Sequence, residues 1–265
     1  MLRKYRRRLL PLFIVLGIGL ISVSAMLQKR GADKAKPMPP EEATLIQEGV
    51  MTAKQKEHSK LFKGYTWFSD GKKIKDIAAQ KDGEIEVNAP LEDTLRYPQP
   101  SLGEYLQKMT CEADAVVIAS VKSKSSNLTE SGTFLFTDYE VTVREVLKNQ
   151  ETAPIRQGQD ITVTRGGGAV KLNGRIIRAI DTNAGRLQVG REYLLYLRFV
   201  PATGAYRPFG NAISEDSFQI DGGKTAQISR KQWPLGQYAK AETDAFLGEA
   251  REALHSQCRT EERRQ

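Results

Sequence analysis

The chain has 265 residues, 40% hydrophobic and 27% charged, the proportions of a globular protein with one substantial core plus appendages, or two small ones. A formal charge of +8 invites a nucleic-acid reading, but the position of the charge removes it. Residues 1–25 hold Arg3, Lys4, Arg6, Arg7 and Arg8 and no acid, so the remainder carries only +3, and no nucleic-acid partner is expected.

The basic stretch "LRKYRRR" precedes an uncharged apolar run of 19 residues, Leu9–Leu27. That length stands between a signal-peptide core and a membrane span. Val23 and Ala25 suit cleavage after Ala25; left uncut, the run anchors the chain with its arginines in the cytoplasm. Both outcomes export the body, which is then periplasmic or secreted, or anchored outside the cytoplasm. Residues 1–27 are thus a signal peptide or anchor, and the proline-bearing, charged residues 28–42 a linker.

Residues 43–110 read as a helical segment. From Glu41 to about Lys63, acids come early and lysines late, as a helix dipole prefers, with an end near Gly64. His58, among lysines, reads as a solvated helix residue. A short helix is expected over Lys72–Gln80. Ser101 with Glu104 three positions on forms a capping box for a helix whose inner stripe is Leu102, Tyr105, Leu106 and Met109.

The texture changes at Cys111. Ala113–Ser123 reads as a strand buried in part on both faces. Gly132–Asn149 alternates apolar and polar residues with one slip near Asp138, where a bulge or bend is expected. Gln159–Arg165 is a third strand. Asn173-Gly174 is the strongest two-residue hairpin signal in the chain. Arg191–Val200 is a strand followed by a Pro-Ala-Thr-Gly turn, and Ser217–Ser229 repeats the hairpin pattern around Asp221-Gly222-Gly223. The chain closes with a helix whose face is marked by Ala241, Ala245, Phe246, Glu249, Ala253 and Leu254, then a charged tail. The expected fold is mainly β with flanking α (α+β): a β domain over 111–230, and a C-terminal helix and tail over 231–265.

Cys111 and Cys258 are an even pair in an exported chain, read first as a disulfide and otherwise as two unrelated thiols. A bridge would close a long loop, worth about 4–5 kcal/mol in the chain-entropy picture. With two histidines and no CxxC, no zinc or other metal site is implied, and no cofactor.

The succession "CEADAVVIASV", "FTDYEVTVREVLK" and "GREYLLYL" resembles the netrin-like domain, the OB-type barrel shared by tissue inhibitors of metalloproteinases. Cys111, Ala113–Val117, Tyr139–Lys148 and Gly190–Leu195 carry the likeness, over residues 111–200. The resemblance implies a small closed or partly open antiparallel barrel with a C-terminal helix. The family's disulfides tie the N-terminal end to later parts of the fold, which would suit Cys111 with Cys258. Those inhibitors chelate zinc through the free α-amino group of their first cysteine. Here Met109-Thr110 precede Cys111, so no inhibitory residue is carried over.

"TRGGGAVKLNGR", Thr164–Arg175, is the one stretch that advertises a phosphate cradle. It lacks the GxxxxGK[ST] spacing and the following helix of a P-loop, so a glycine-rich bend between strands is the better reading. Arg165, Lys171, Arg175 and Arg178 are the candidate binding residues on that excursion, and Lys122, Lys124 and Arg198 could extend a cationic face. Asn127-Leu128-Thr129 matches a glycosylation acceptor. No Ser-His-Asp set can be drawn and no catalytic residue is assigned. Carboxylates such as Glu84/Glu86 and Glu215/Asp216 leave a hydrolase as the alternative. The leading expectation is a non-enzymatic exported barrel that binds an envelope or cell-surface protein or polyanion, and contacts the membrane through residues 9–27 if these are retained. A structural part of a membrane assembly is the third reading.

Overall fold

The computed structural model describes residues 44–45, 51–68, 70–80, 85–88, 101–180, 186–209, 217–221, 223–227 and 241–255. The apolar run, the 28–42 linker, Cys258 and the charged tail lie outside them. The described residues all lie in one compact unit, Glu42–Gln265. The described unit is mainly β with a few helices.

The N-terminal part contains β1 (Thr44–Leu45), α1 (Ala53–Ser59) with a 3-10 turn over Lys60–Phe62, α2 (Ile74–Gln80) and β2 (Ile85–Asn88). Thr52 and Gln55 close a capping box on α1, and the chain leaves at Gly64 with φ of +86°. Thr44–Leu45, expected within a helix, instead pairs parallel to a later strand. The helix α3 (Leu102–Glu112) carries the Ser101/Glu104 capping box, and Tyr105, Leu106 and Met109 are buried on its inner stripe as expected.

Next come β3 (Ala115–Leu128), β4 (Leu135–Lys148), β5 (Asp160–Gly166), β6 (Gly168–Leu172), β7 (Arg175–Ile180), β8 (Glu192–Val200), β9 (Ala205–Pro208), β10 (Ser217–Gln219) and β11 (Ala226–Gln227). The closing helix α4 spans Thr243–His255. Its buried face is Phe246, Leu247, Ala250 and Ala253. Ala245 and Glu249, placed on that face by sequence, are exposed, because the stripe runs i, i+1, i+4, i+7 from Phe246.

In the larger sheet the strand order is β11-β10-β8-β3-β4-β5-β9, and β8 also pairs with β9. The β5–β9 contact is parallel, through Val163 and Tyr206; the other pairings of this sheet are antiparallel. The smaller sheet, in order β1-β6-β7-β2, joins the N-terminal strands in parallel to the edges of the β6–β7 hairpin. That hairpin turns at Asn173 and Gly174, both at positive φ, as an Asn-Gly type I′ turn requires.

Three cores follow from these layers. Ala115, Val117, Tyr139, Val141, Val163, Tyr193 and Leu195 pack on one side of the larger sheet. Val116, Ile118, Leu194 and Tyr196, on the opposite faces of β3 and β8, pack against α3 and α4. Ile74, Val87, Phe134, Phe136, Val170 and Ile177 fill the space around the smaller sheet. The slip near Asp138 is therefore a change of core, not a bulge. Phe134 and Phe136 serve one cluster, Tyr139, Val141 and Val143 another, and the register runs unbroken through Asp138. The irregularities lie further on, opposite Val116–Ser123.

Among the described residues, no helix is long and apolar enough to cross a membrane.

Candidate functional site

The glycine run is the corner where the chain passes from the larger sheet to the smaller. Gly166 ends β5 opposite Phe136, and Gly168 opens β6 opposite Ala179. Gly167 and Gly168 stand at φ of +87° and +134°, conformations that favour glycine. A Cβ on Gly168 would lie 2.2 Å from Thr137 Oγ1 and 2.4 Å from Ser126 Oγ. Those hydroxyls form a buried relay. The Ala169 N–H donates to Ser126 Oγ at 3.3 Å, Ser126 and Thr137 share a 2.8 Å hydrogen bond, and Thr137 Oγ1 donates to the Gly167 carbonyl at 2.7 Å. The backbone of the corner is thus spent on protein partners.

The four candidate cations near this corner do not form one surface. Arg165 is buried, on the same face of β5 as Ile161 and Val163, near the phenols of Tyr139 and Tyr193. Arg175 reaches back to donate to the Ala78 carbonyl in α2. Register places it opposite Leu172, on the other face of the hairpin from Lys171 and Arg178. Lys171 is exposed and Arg178 half-buried. Lys122 is engaged by Asp160 at 2.7 Å and Glu140 at 3.8 Å. The hydrogen bond to Asp160 raises its pKa, and the same contact, helped by Thr142, lowers that of Asp160. Arg198 lies 4.9 Å over the Phe209 ring. The Asn127 side chain is buried and its amide turns to Ser125, so the glycosylation pattern falls on a packed residue. Of the carboxylates considered from sequence, Glu86 is exposed on β2; Glu84, Glu215 and Asp216 lie outside the described residues.

His58 departs most from its expected place. It is fully buried, with Nδ1 2.8 Å from Asp138 Oδ2, while Thr164 Oγ1 donates to Asp138 Oδ1 at 2.6 Å. An ionised carboxylate only accepts, so the imidazole proton sits on Nδ1. The other nitrogen is enclosed and without a hydrogen-bond partner. That is the atom a general base would use, and here it faces packed protein. The trio pins α1 onto β4 and β5, with Lys54 adding a 2.6 Å bond to Thr162.

A groove of about 440 Å³ opens on the other side, lined by Thr110, Glu145–Lys148, Arg251, Leu254 and His255. Lys148 is its most informative residue. Its ammonium donates to the carbonyls of Thr110, Cys111 and Ala113 at 2.7, 3.3 and 2.6 Å, satisfying the C-terminal end of α3. Burial lowers its pKa, against the pull of Asp114. Arg251 bridges Glu145 with bonds of 3.0 and 3.2 Å at the rim. Val146, Leu147 and Leu254 supply the apolar lining. Sequence reasoning did not single out Lys148 or Arg251; their shared surface depends on α4 returning to the end of β4, a contact without a local signal.

Among the described residues, no three His, Cys, Asp or Glu side chains gather as a metal-binding group. No protein-family model matches the chain, and no curated protein is significantly similar to it.

Proposed function

We propose that the protein is an exported, non-enzymatic binding module, tethered to the membrane or secreted, whose body is an OB-type barrel. The pairing of β3, β4, β5, β9 and β8 in succession, with β8 returning to β3 and β5 parallel to β9, supports the barrel. It also fits the resemblance to the netrin-like domain. Such barrels serve widely as binding scaffolds, yet fold alone does not assign a ligand. The observation that carries the binding role is the groove beside α3 and α4. It offers apolar side chains ringed by Lys148, Arg251 and His255, the mixture expected where a polypeptide docks.

A Cys111–Cys258 disulfide belongs to this reading. Cys111 lies in the last turn of α3, and Cys258 follows the end of α4 by three residues. A bridge there would staple the two helices that flank the groove.

Photo-crosslinking in cells tests the binding role. A crosslinker at His255 should yield one adduct of defined mass, lost when Leu254→Arg fills the groove. A crosslinker at exposed Lys224 should not yield it. Identical adducts from both positions, or none from His255, would sink the groove as the docking surface.

A further inference from the structure

The body carries a second surface, distinct from the groove, where its surplus positive charge is concentrated. Residues 51–75 hold seven lysines and two acids, a balance of +5. With the first 25 residues at +5 and residues 26–50 balanced, the chain from 76 onward stands at −2. Both acids of the stretch are occupied locally: Glu57 by Lys60 and Asp70 by Lys72, each at 2.6 Å. The side chains of Lys56, Lys63, Lys73 and Lys75 are exposed and make no hydrogen bond or ion pair among the described residues.

One structural element gathers this stretch. The turn between β3 and β4 accepts the Trp67 N–H at the Thr133 carbonyl and the Ile74 N–H at the Gly132 carbonyl. Thr133 Oγ1 donates to the Tyr65 carbonyl, and the Glu130 N–H donates to Ser59 Oγ. The end of α1, the Gly64–Phe68 loop and the start of α2 are thus fastened to a single hairpin tip. Tyr65 stands on that tip at 57% exposure. Its ring meets Phe62 and Phe134 edge-on, at 6.1 and 5.6 Å, so the phenol is held outward by an aromatic base. Glu130 and Asp76 are exposed nearby and reduce the surplus without cancelling it.

We infer that this surface rests on an anionic lipid bilayer. A rigid tyrosine flanked by unpaired lysines matches the chemistry of the headgroup region, where amphipathic rings and ammonium groups settle together. Charge complementarity favours the lipid over a neutral partner, and chain length keeps the contact within reach. Sixteen residues separate Leu27 from Thr44, a span of no more than about 60 Å in any conformation. The inference rests on residues 9–27 staying in the membrane, and the experiment separates the two claims.

The full chain, with a protease site inserted between Lys36 and Pro40, is reconstituted into vesicles of phosphatidylcholine alone or with phosphatidylglycerol, in about 0.1 M salt. Before cutting, flotation with both vesicle types reports the anchor; flotation with neither, or only with anionic vesicles, rejects it. After cutting, the body should leave the neutral vesicles and stay with the anionic ones. Each lysine near such a surface contributes about fivefold to partitioning, so changing all four to Glu should reduce retention about 600-fold or more, and Tyr65→Ser by a few-fold. Because the four lysine side chains are exposed and unpaired, the lysine variants should keep the native melting temperature, and Lys→Gln versions check that charge, not size, is responsible. Release of the native body from anionic vesicles as readily as from neutral ones overturns the inference, as does full retention of the quadruple variant. Lysine-dependent capture by heparin or polyglutamate, without retention on anionic vesicles, would reassign the patch to a soluble polyanion.

Discussion

Replacing Gly168 by Ala tests whether the glycine run is a packed corner or a ligand loop. The new Cβ meets Thr137 Oγ1 at 2.2 Å, Ser126 Oγ at 2.4 Å and a Leu135 methyl at 3.0 Å. None of these atoms belongs to a long flexible side chain that could swing away. A side chain at φ of +134° adds about 1–3 kcal/mol of backbone strain. Overpacking adds about 1–3 kcal/mol, and each broken link of the Ala169–Ser126–Thr137–Gly167 relay about 1 kcal/mol. Taken at the middle of each range with one link broken, the sum is about 5 kcal/mol. For a body of this size that corresponds to a fall in Tm of roughly 10–20 °C. Gly248 is the matched control, since it sits in α4 with nothing within 4 Å of an added Cβ. Gly248→Ala should gain up to about 1 kcal/mol. Thermal melts and urea titrations of both variants decide the matter. A Gly168→Ala protein within about 1 kcal/mol of native would refute the corner.

Three further outcomes follow from the same structure. His58→Ala removes the buried bond to Asp138 and should destabilise the body by about 2–4 kcal/mol; hydrogen exchange should show Ala53–Ser59 losing protection before β4 does, and equal protection there would contradict the pin. Reduction of the folded body should lower its stability by about 3–5 kcal/mol if Cys111 and Cys258 are bridged, and peptide mapping that finds both thiols free would exclude the bridge. Burial raises the phenol pKa values of Tyr139, Tyr193 and Tyr206 above the ordinary value of 10.0. Above pH 10 the unfolded chain therefore binds fewer protons than the folded one, so stability should be intact below pH 10 and fall as pH rises beyond it. Tyrosinate absorbance rising at pH 10 in parallel with free tyrosine, in protein that is still folded, would oppose this.

Local grammar was legible. The Ser101/Glu104 box, the Asn173-Gly174 turn, the alternating run of β4 and the apolar runs of β3 and β8 follow from spacing and φ requirements that neighbouring residues settle. Long-range choices were not. His58 sits between Glu57 and Ser59 on a lysine-rich helix, and its burial depends on Asp138, 80 positions away. The Thr52/Gln55 box, by contrast, was readable from its spacing. Arg165 also had a signal, for Ile161, Val163 and Arg165 alternate on one face of β5; weighing charge above period put it on the surface. The cationic cluster expected on the β6–β7 excursion divides because register sends Arg175 to one face and Lys171 to the other. The lysines of residues 56–75 became a coherent surface only once the β3–β4 turn fastened their three segments together.

The central claim is that the folded body works outside the cytoplasm. An epitope appended after Gln265, in the otherwise native chain, tests it in sealed cells stripped of any outer barrier. Added protease should remove the epitope while a cytoplasmic marker stays intact. An epitope that survives until the membrane is dissolved would contradict the account.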